Sequence, residues 1–150
     1  AKEALAFCER MDAPYWMAMN AANLAEAYFE LGDLAHAEQY AMRVIEHEEV
    51  DSYPYALFTL GSVRRVQERY DDALHFYSQS SRVAEHNEDR FLLAYVYRGI
   101  GDLYVEQNEC ANAKEAYAQA LTLFERLAIS GEAAATTRRI AALSEGLNGQ

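Results

Sequence analysis

The chain has 150 residues, 51% hydrophobic and 25% charged, enough for one compact domain or a short repeat array with a buried core, which excludes a disordered tail. Thirteen Lys and Arg against 24 Asp and Glu leave a formal charge of -11, a field that repels phosphate backbones, so no nucleic acid is expected as a partner. Cys8 and Cys110 form no Cys-x-x-Cys or Cys/His cluster, so neither a disulfide framework nor a zinc site is signalled and a reducing, cytoplasmic compartment is expected.

No apolar run approaches the roughly 18 residues of a membrane span, and no basic-then-apolar leader opens the sequence, so no membrane partner is expected. Two prolines, seven glycines and abundant alanine without β-branched runs predict an all-α fold of seven to nine helices. In chain order, one segment recurs three times: Leu24-Ala25 with Tyr28 then Ala37, Leu60-Gly61 then Ala73, and Ile100-Gly101 with Tyr104 then Ala113. Each apolar residue precedes its alanine by the same interval. Each unit reads as a helix hairpin whose first helix ends near Gly32-Asp33, Arg69-Tyr70 or Asn108-Glu109. The spacing predicts units over 14–50, 53–87 and 89–129. Extending the register backwards places Ala4 in a leftover second helix over 1–10, and forwards places Ile140-Ala141 in a capping helix over 132–146. An array that starts and stops out of phase is expected to be a fragment of a larger protein.

A large apolar residue followed by Gly or Ala, then an aromatic one turn later, makes a stripe with a notch that admits a close helix, and the alanine of the second helix fills it. The expected core is therefore Leu24, Tyr28, Ala37, Leu60, Gly61, Ala73, Ile100, Gly101, Tyr104 and Ala113. Gly99 weakens its helix, which points to a close backbone or ligand, or to plain tolerance.

Chemistry is sparse. His36 and His47, like His75 and His86, stand eleven residues apart, roughly 16 Å along a helix, too far to share a metal. Glu46, Glu48, Glu49 and Asp51 read as a solvated charge run without a calcium-loop pattern, and Cys110 as a turn residue with no neighbouring base. Neither glycine-rich phosphate motif is present. No catalytic constellation emerges, so neither an enzyme nor a cofactor or metal is expected.

The pattern resembles the tetratricopeptide repeat, most closely in the third unit with Tyr97, Ile100-Gly101, Tyr104, Ala113 and Tyr117. Departures are Ala21 and Leu57 for aromatics, Ala25 for Gly, Arg64 for the second aromatic and Ala41 for the third. The resemblance implies a right-handed superhelical stack of antiparallel hairpins, with first helices lining a concave groove that binds a protein or peptide segment. Residues opposite the Leu24, Leu60 and Ile100 stripe, about 140 to 220 degrees away, then form the ligand surface: Met19, Ala22, Glu26 and Phe29, then Tyr55, Phe58, Ser62 and Arg65, then Tyr95, Arg98, Asp102 and Val105. By the same resemblance, Asn23 matches the asparagine that holds a peptide backbone in peptide-sensing relatives and is expected to do so here. The chain's only lysines, Lys2 and Lys114, lie outside this set, so a clamp for a chaperone C-terminus is not expected.

Arg65, Arg98 and Arg138 suggest a guanidinium ladder suited to an acidic peptide, unless Asp102 satisfies Arg98 within one helix. The second reading is an effector-sensing or oligomerisation domain of a multidomain bacterial signalling or transcription regulator. Exposed terminal helices, with Leu5 and Phe7 on the first, suggest a homodimer.

Overall fold

The computed structural model describes residues 17–148, and among them helices follow one another without a strand. Helix α1 runs over 17–30 and α2 over Leu34–Ile45; α3 is Tyr53–Val66 and α4 Tyr70–His86; α5 is Arg90–Glu106 and α6 Cys110–Arg126; α7 is Ser130–Asn148. The α3·α4 and α5·α6 pairs make the most extensive contacts, α2 packs on α3, α4 on α5 and α6 on α7, and α3 also touches α5. The chain is thus an all-α solenoid of helix hairpins. The leftover helix expected over 1–10, with Ala4, Leu5, Phe7 and Cys8, lies outside the described residues.

Sharp reversals come from one device used five times. Gly32, Glu68, Glu88, Asn108 and Ala128 adopt φ of 82°, 62°, 56°, 61° and 58°. After each, the next amide donates to the carbonyl five residues back: Asp33 to Tyr28 at 2.9 Å, Arg69 to Arg64 at 2.8 Å, Asp89 to Ala84 at 2.9 Å, Glu109 to Tyr104 at 2.8 Å and Ile129 to Phe124 at 3.0 Å. This is the Schellman closure of orphan helix carbonyls. Asp33 and Asp89 then cap the following helices by accepting from the His36 and Leu92 amides. The α2–α3 connection differs: Val50 is buried within it and Pro54 opens α3. It carries the acidic run, and it also holds His47, so His36 and His47 do not share a helix as the sequence suggested.

The core follows a rule of complementary sizes. The Tyr77 ring is fully buried against Gly61 of its own hairpin and Gly99 of the next, where a Cβ would stand 2.6 Å and 3.1 Å from ring atoms. Tyr117 lies still closer to Gly101. In the first hairpin the corresponding residues are Ala25 and Ala41, both fully buried. A ring meets glycine and a methyl meets alanine, so the departures Ala25 and Ala41 compensate each other. Gly99 thereby has its reason in a close side chain of the neighbouring hairpin.

Ala37, Leu60, Gly61, Ala73, Gly101 and Ala113 are buried as expected, and Tyr28, Ile100 and Tyr104 are half-buried. Leu24 is a correction: it is 42% exposed, and α1 buries Ala18, Ala21, Ala22 and Ala25 instead. Leu60 packs in one cluster with Ala41 and Val44, and Ile100 against one containing Ala73 and Tyr77, so this register position faces the preceding hairpin. Leu24 has no preceding hairpin among the described residues.

Candidate functional site

The first helices converge on a cavity of about 550 Å³. Helix α1 contributes Met19, Ala22, Asn23, Glu26 and Glu30; α3 contributes Tyr55, Phe58 and Thr59; α5 contributes Phe91, Leu92, Tyr95 and Arg98; Glu132 of α7 and Asp51 and Ser52 of the α2–α3 loop complete it. Eight of the sequence-derived surface residues meet here: Met19, Ala22, Asn23, Glu26, Tyr55, Phe58, Tyr95 and Arg98. Asn23 and Glu26 are exposed, and Tyr55, Phe58, Tyr95 and Arg98 are half-buried.

The aromatic wall is fixed from behind. Asp89 caps α5 and also accepts a 2.7 Å bond from the Tyr55 hydroxyl, so one carboxylate ties α3 to α5 at the cavity edge. Burial, together with that bond, pushes the Tyr55 phenol well above its ordinary pKa. Tyr95 is raised too, by burial first and then by Glu132, with a smaller contribution from Glu26. Both rings stay neutral phenols at physiological pH. Phe58 packs on Tyr77, and Tyr95 stands edge-on between Phe91 and Phe124.

Arg65 and Asp102 are not part of the cavity. Arg65 pairs with Glu106 of α5 at 2.6 Å and reaches the Tyr77 hydroxyl at 3.4 Å. Asp102 accepts from the Tyr117 hydroxyl at 2.5 Å and from Arg139 of α7 at 3.1 Å.

The guanidinium ladder is a second correction. Arg98 is ion-paired with Glu132 and lies over the Tyr95 and Phe124 rings, each centroid 5.1 Å away, so its partner is neither Asp102 nor a vacant position for a ligand carboxylate. Arg138 is exposed, and Arg139 is the α7 arginine that reaches back to α5. Arg64, flagged as a charge in a ring's place, pairs with Glu38 of α2 at 2.6 Å. The arginines link successive hairpins. Among the described residues the cavity wall carries four carboxylates and one paired guanidinium, so the arginines give no support to the expectation of an acidic ligand.

Sequence reasoning missed Phe91, Glu30, Asp51 and Glu132. Phe91 carried a signal, because nine residues before Ile100 is about half a turn out of phase with it, on the same stripe as Tyr95. Asp51 sits in a loop, where helical periodicity says nothing.

A second cavity, also about 550 Å³, lies on the outer side of the first hairpin and is lined by Met17, Leu24, Tyr40 and Arg43 among others. Among the described residues no three His, Cys, Asp or Glu side chains gather as metal ligands, and no helix is long and apolar enough to cross a membrane.

Two models of the tetratricopeptide repeat match the sequence, one over residues 54–126 and one over 21–49, together more than half of the chain. No curated protein matches it. Solenoid architecture, the glycine–tyrosine notches and these matches agree that the chain belongs to the tetratricopeptide repeat family, a family of protein-interaction scaffolds.

Proposed function

We propose that this chain is a non-enzymatic interaction module that binds a protein or peptide segment in the concave cavity formed by its first helices. The observation that carries the reading is the convergence of Tyr55, Phe58, Phe91 and Tyr95 from two successive hairpins on one opening, with the polar Asn23 and Glu26 of a third opposite them. Pockets in this size range, with aromatic walls and few polar groups, suit an anchored side chain and its flanking backbone. Phe91 remains 46% exposed, an apolar ring presented to solvent inside the opening. Asn23 offers an amide that both donates to and accepts from a peptide backbone. Tyr55 is held by Asp89 before any ligand arrives, which lowers the ordering cost of binding.

Selection from an unbiased displayed peptide library tests the reading. Peptides that bind the wild-type chain should lose about tenfold in affinity to Phe91→Ala and Asn23→Ala, a loss of the size expected of interface anchors. Both variants should keep the wild-type melting temperature. Selected peptides indifferent to both substitutions would move the site elsewhere on the array.

A further inference from the structure

The chemistry of the cavity wall narrows the ligand class, and the narrowing rests on the concave-face reading above. We infer that the groove takes a basic segment, a Lys or Arg side chain beside an apolar anchor, with the cation seated among Glu26, Glu30 and Asp51 and the anchor on the Phe91–Tyr95 side. Charge complementarity is the first support. The wall carries four carboxylates and one guanidinium, and Arg98 is already engaged with Glu132. Among the described residues, the only cation on the wall is therefore spent within the protein, and the other three carboxylates pair with no cation.

The repeat register supplies the second support. Glu26, Ser62 and Asp102 each follow the small notch residue Ala25, Gly61 or Gly101. Ser62 bonds the Tyr77 hydroxyl at 2.9 Å, and Asp102 receives the Tyr117 hydroxyl. The first hairpin has Ala41 where the others have tyrosine, so Glu26 has no phenol from that register position and accepts no phenol bond among the described residues. The exchange of a ring for a methyl that lets Ala25 pack also leaves a carboxylate facing the cavity. Glu26 and Glu30 lie one turn apart on α1, and like charges at that spacing repel. A ligand ammonium or guanidinium relieves that repulsion, whereas a ligand carboxylate adds to it. Tyr55, a neutral phenol, lines the same opening, and cations are attracted to aromatic rings.

Three pools of short synthetic peptides, with the same Leu and Phe anchors and with Lys/Arg, Asp/Glu or Ser between them, test the inference by fluorescence anisotropy on the full chain. The basic pool should bind about tenfold more tightly than the other two, and the preference should shrink as salt rises. Glu26→Gln with Glu30→Gln should remove most of that preference. Glu115→Gln with Glu125→Gln, an equal charge change on exposed positions of α6, should leave it in place. Equal losses from the two double variants would reduce the effect to net charge and overturn the inference. Tighter binding of the acidic or Ser pool would overturn it while keeping the groove, and binding of none of the pools would overturn the groove reading with it. Unchanged helical circular dichroism of each variant excludes misfolding as the source of a loss.

Discussion

Glycine and tyrosine act as a pair in this array. At Gly101 a methyl group would enter the ring of Tyr117, which is 2% exposed and hydrogen-bonded at its far end to Asp102, so neither partner has room to yield. Gly101→Ala should therefore cost about 2 kcal/mol by overpacking, even though alanine favours a helix over glycine by about 1 kcal/mol. Gly99→Ala meets the edge of Tyr77 at 3.1 Å and should be close to neutral, because the helix gain offsets a milder contact. Urea denaturation of the two variants checks the order; equal costs would break the ring-in-notch account. Arg98 gives a second residue-scale expectation. Arg98→Ala strips Glu132 of its cation and uncovers two rings, so it should lower stability by about 1 to 2 kcal/mol. It should not weaken a basic ligand, a result that anisotropy with the Lys/Arg pool reads directly.

Turns and inter-hairpin pairs govern the elements. Four of the five Schellman turns use a residue other than glycine at positive φ, and Ala128 has no side-chain group to compensate. Ala128→Gly should stabilise the α6–α7 junction by about 0.5 to 1 kcal/mol, seen as a higher melting temperature, since glycine adopts this conformation without the Cβ clash. The Glu38–Arg64 pair ties α2 to α3, and the Arg64 hydrogen bond holds the Glu38 carboxyl below its ordinary 4.5. A depressed carboxylate stabilises the fold above its unfolded pKa and loses that contribution as pH falls through the folded one. The stability gap between wild type and Glu38→Gln should therefore be full at neutral pH and shrink only as pH falls below the ordinary 4.5 and through the lower folded value, as measured by urea melts across pH. A gap independent of pH would mean that the pair contributes packing rather than charge.

Across the whole molecule, the fold was legible because repeat spacing is a one-dimensional signal: the 24/37, 60/73 and 100/113 pairs and the small residues beside them specify hairpins without knowledge of their stacking. Leu24 escaped that reading because its burial depends on a preceding hairpin and not on its own helix. The ion pairs escaped for a related reason. For Arg98 the sequence offers a ligand-facing ladder or Asp102 one turn away, yet stacking brings it beside Glu132, and Arg65 reaches Glu106 across 41 residues. Within a single helix only three- and four-residue neighbours are visible, whereas a solenoid makes neighbours one repeat apart. Glu26, Tyr55 and Tyr95, which the stripe included, line one opening, so part of the cavity wall was readable, while its acidic balance depended on which arginines the next hairpin had already taken.

That concave face is the central claim, and backbone amide chemical-shift mapping tests it most directly. Titration of the full chain with a selected binding peptide should move resonances of α1, α3 and α5, centred on residues 23–30, 55–59 and 91–98, and leave those of α4 and α6 nearly still. Shifts concentrated on α4 and α6, with residues 91–98 unmoved, would contradict it.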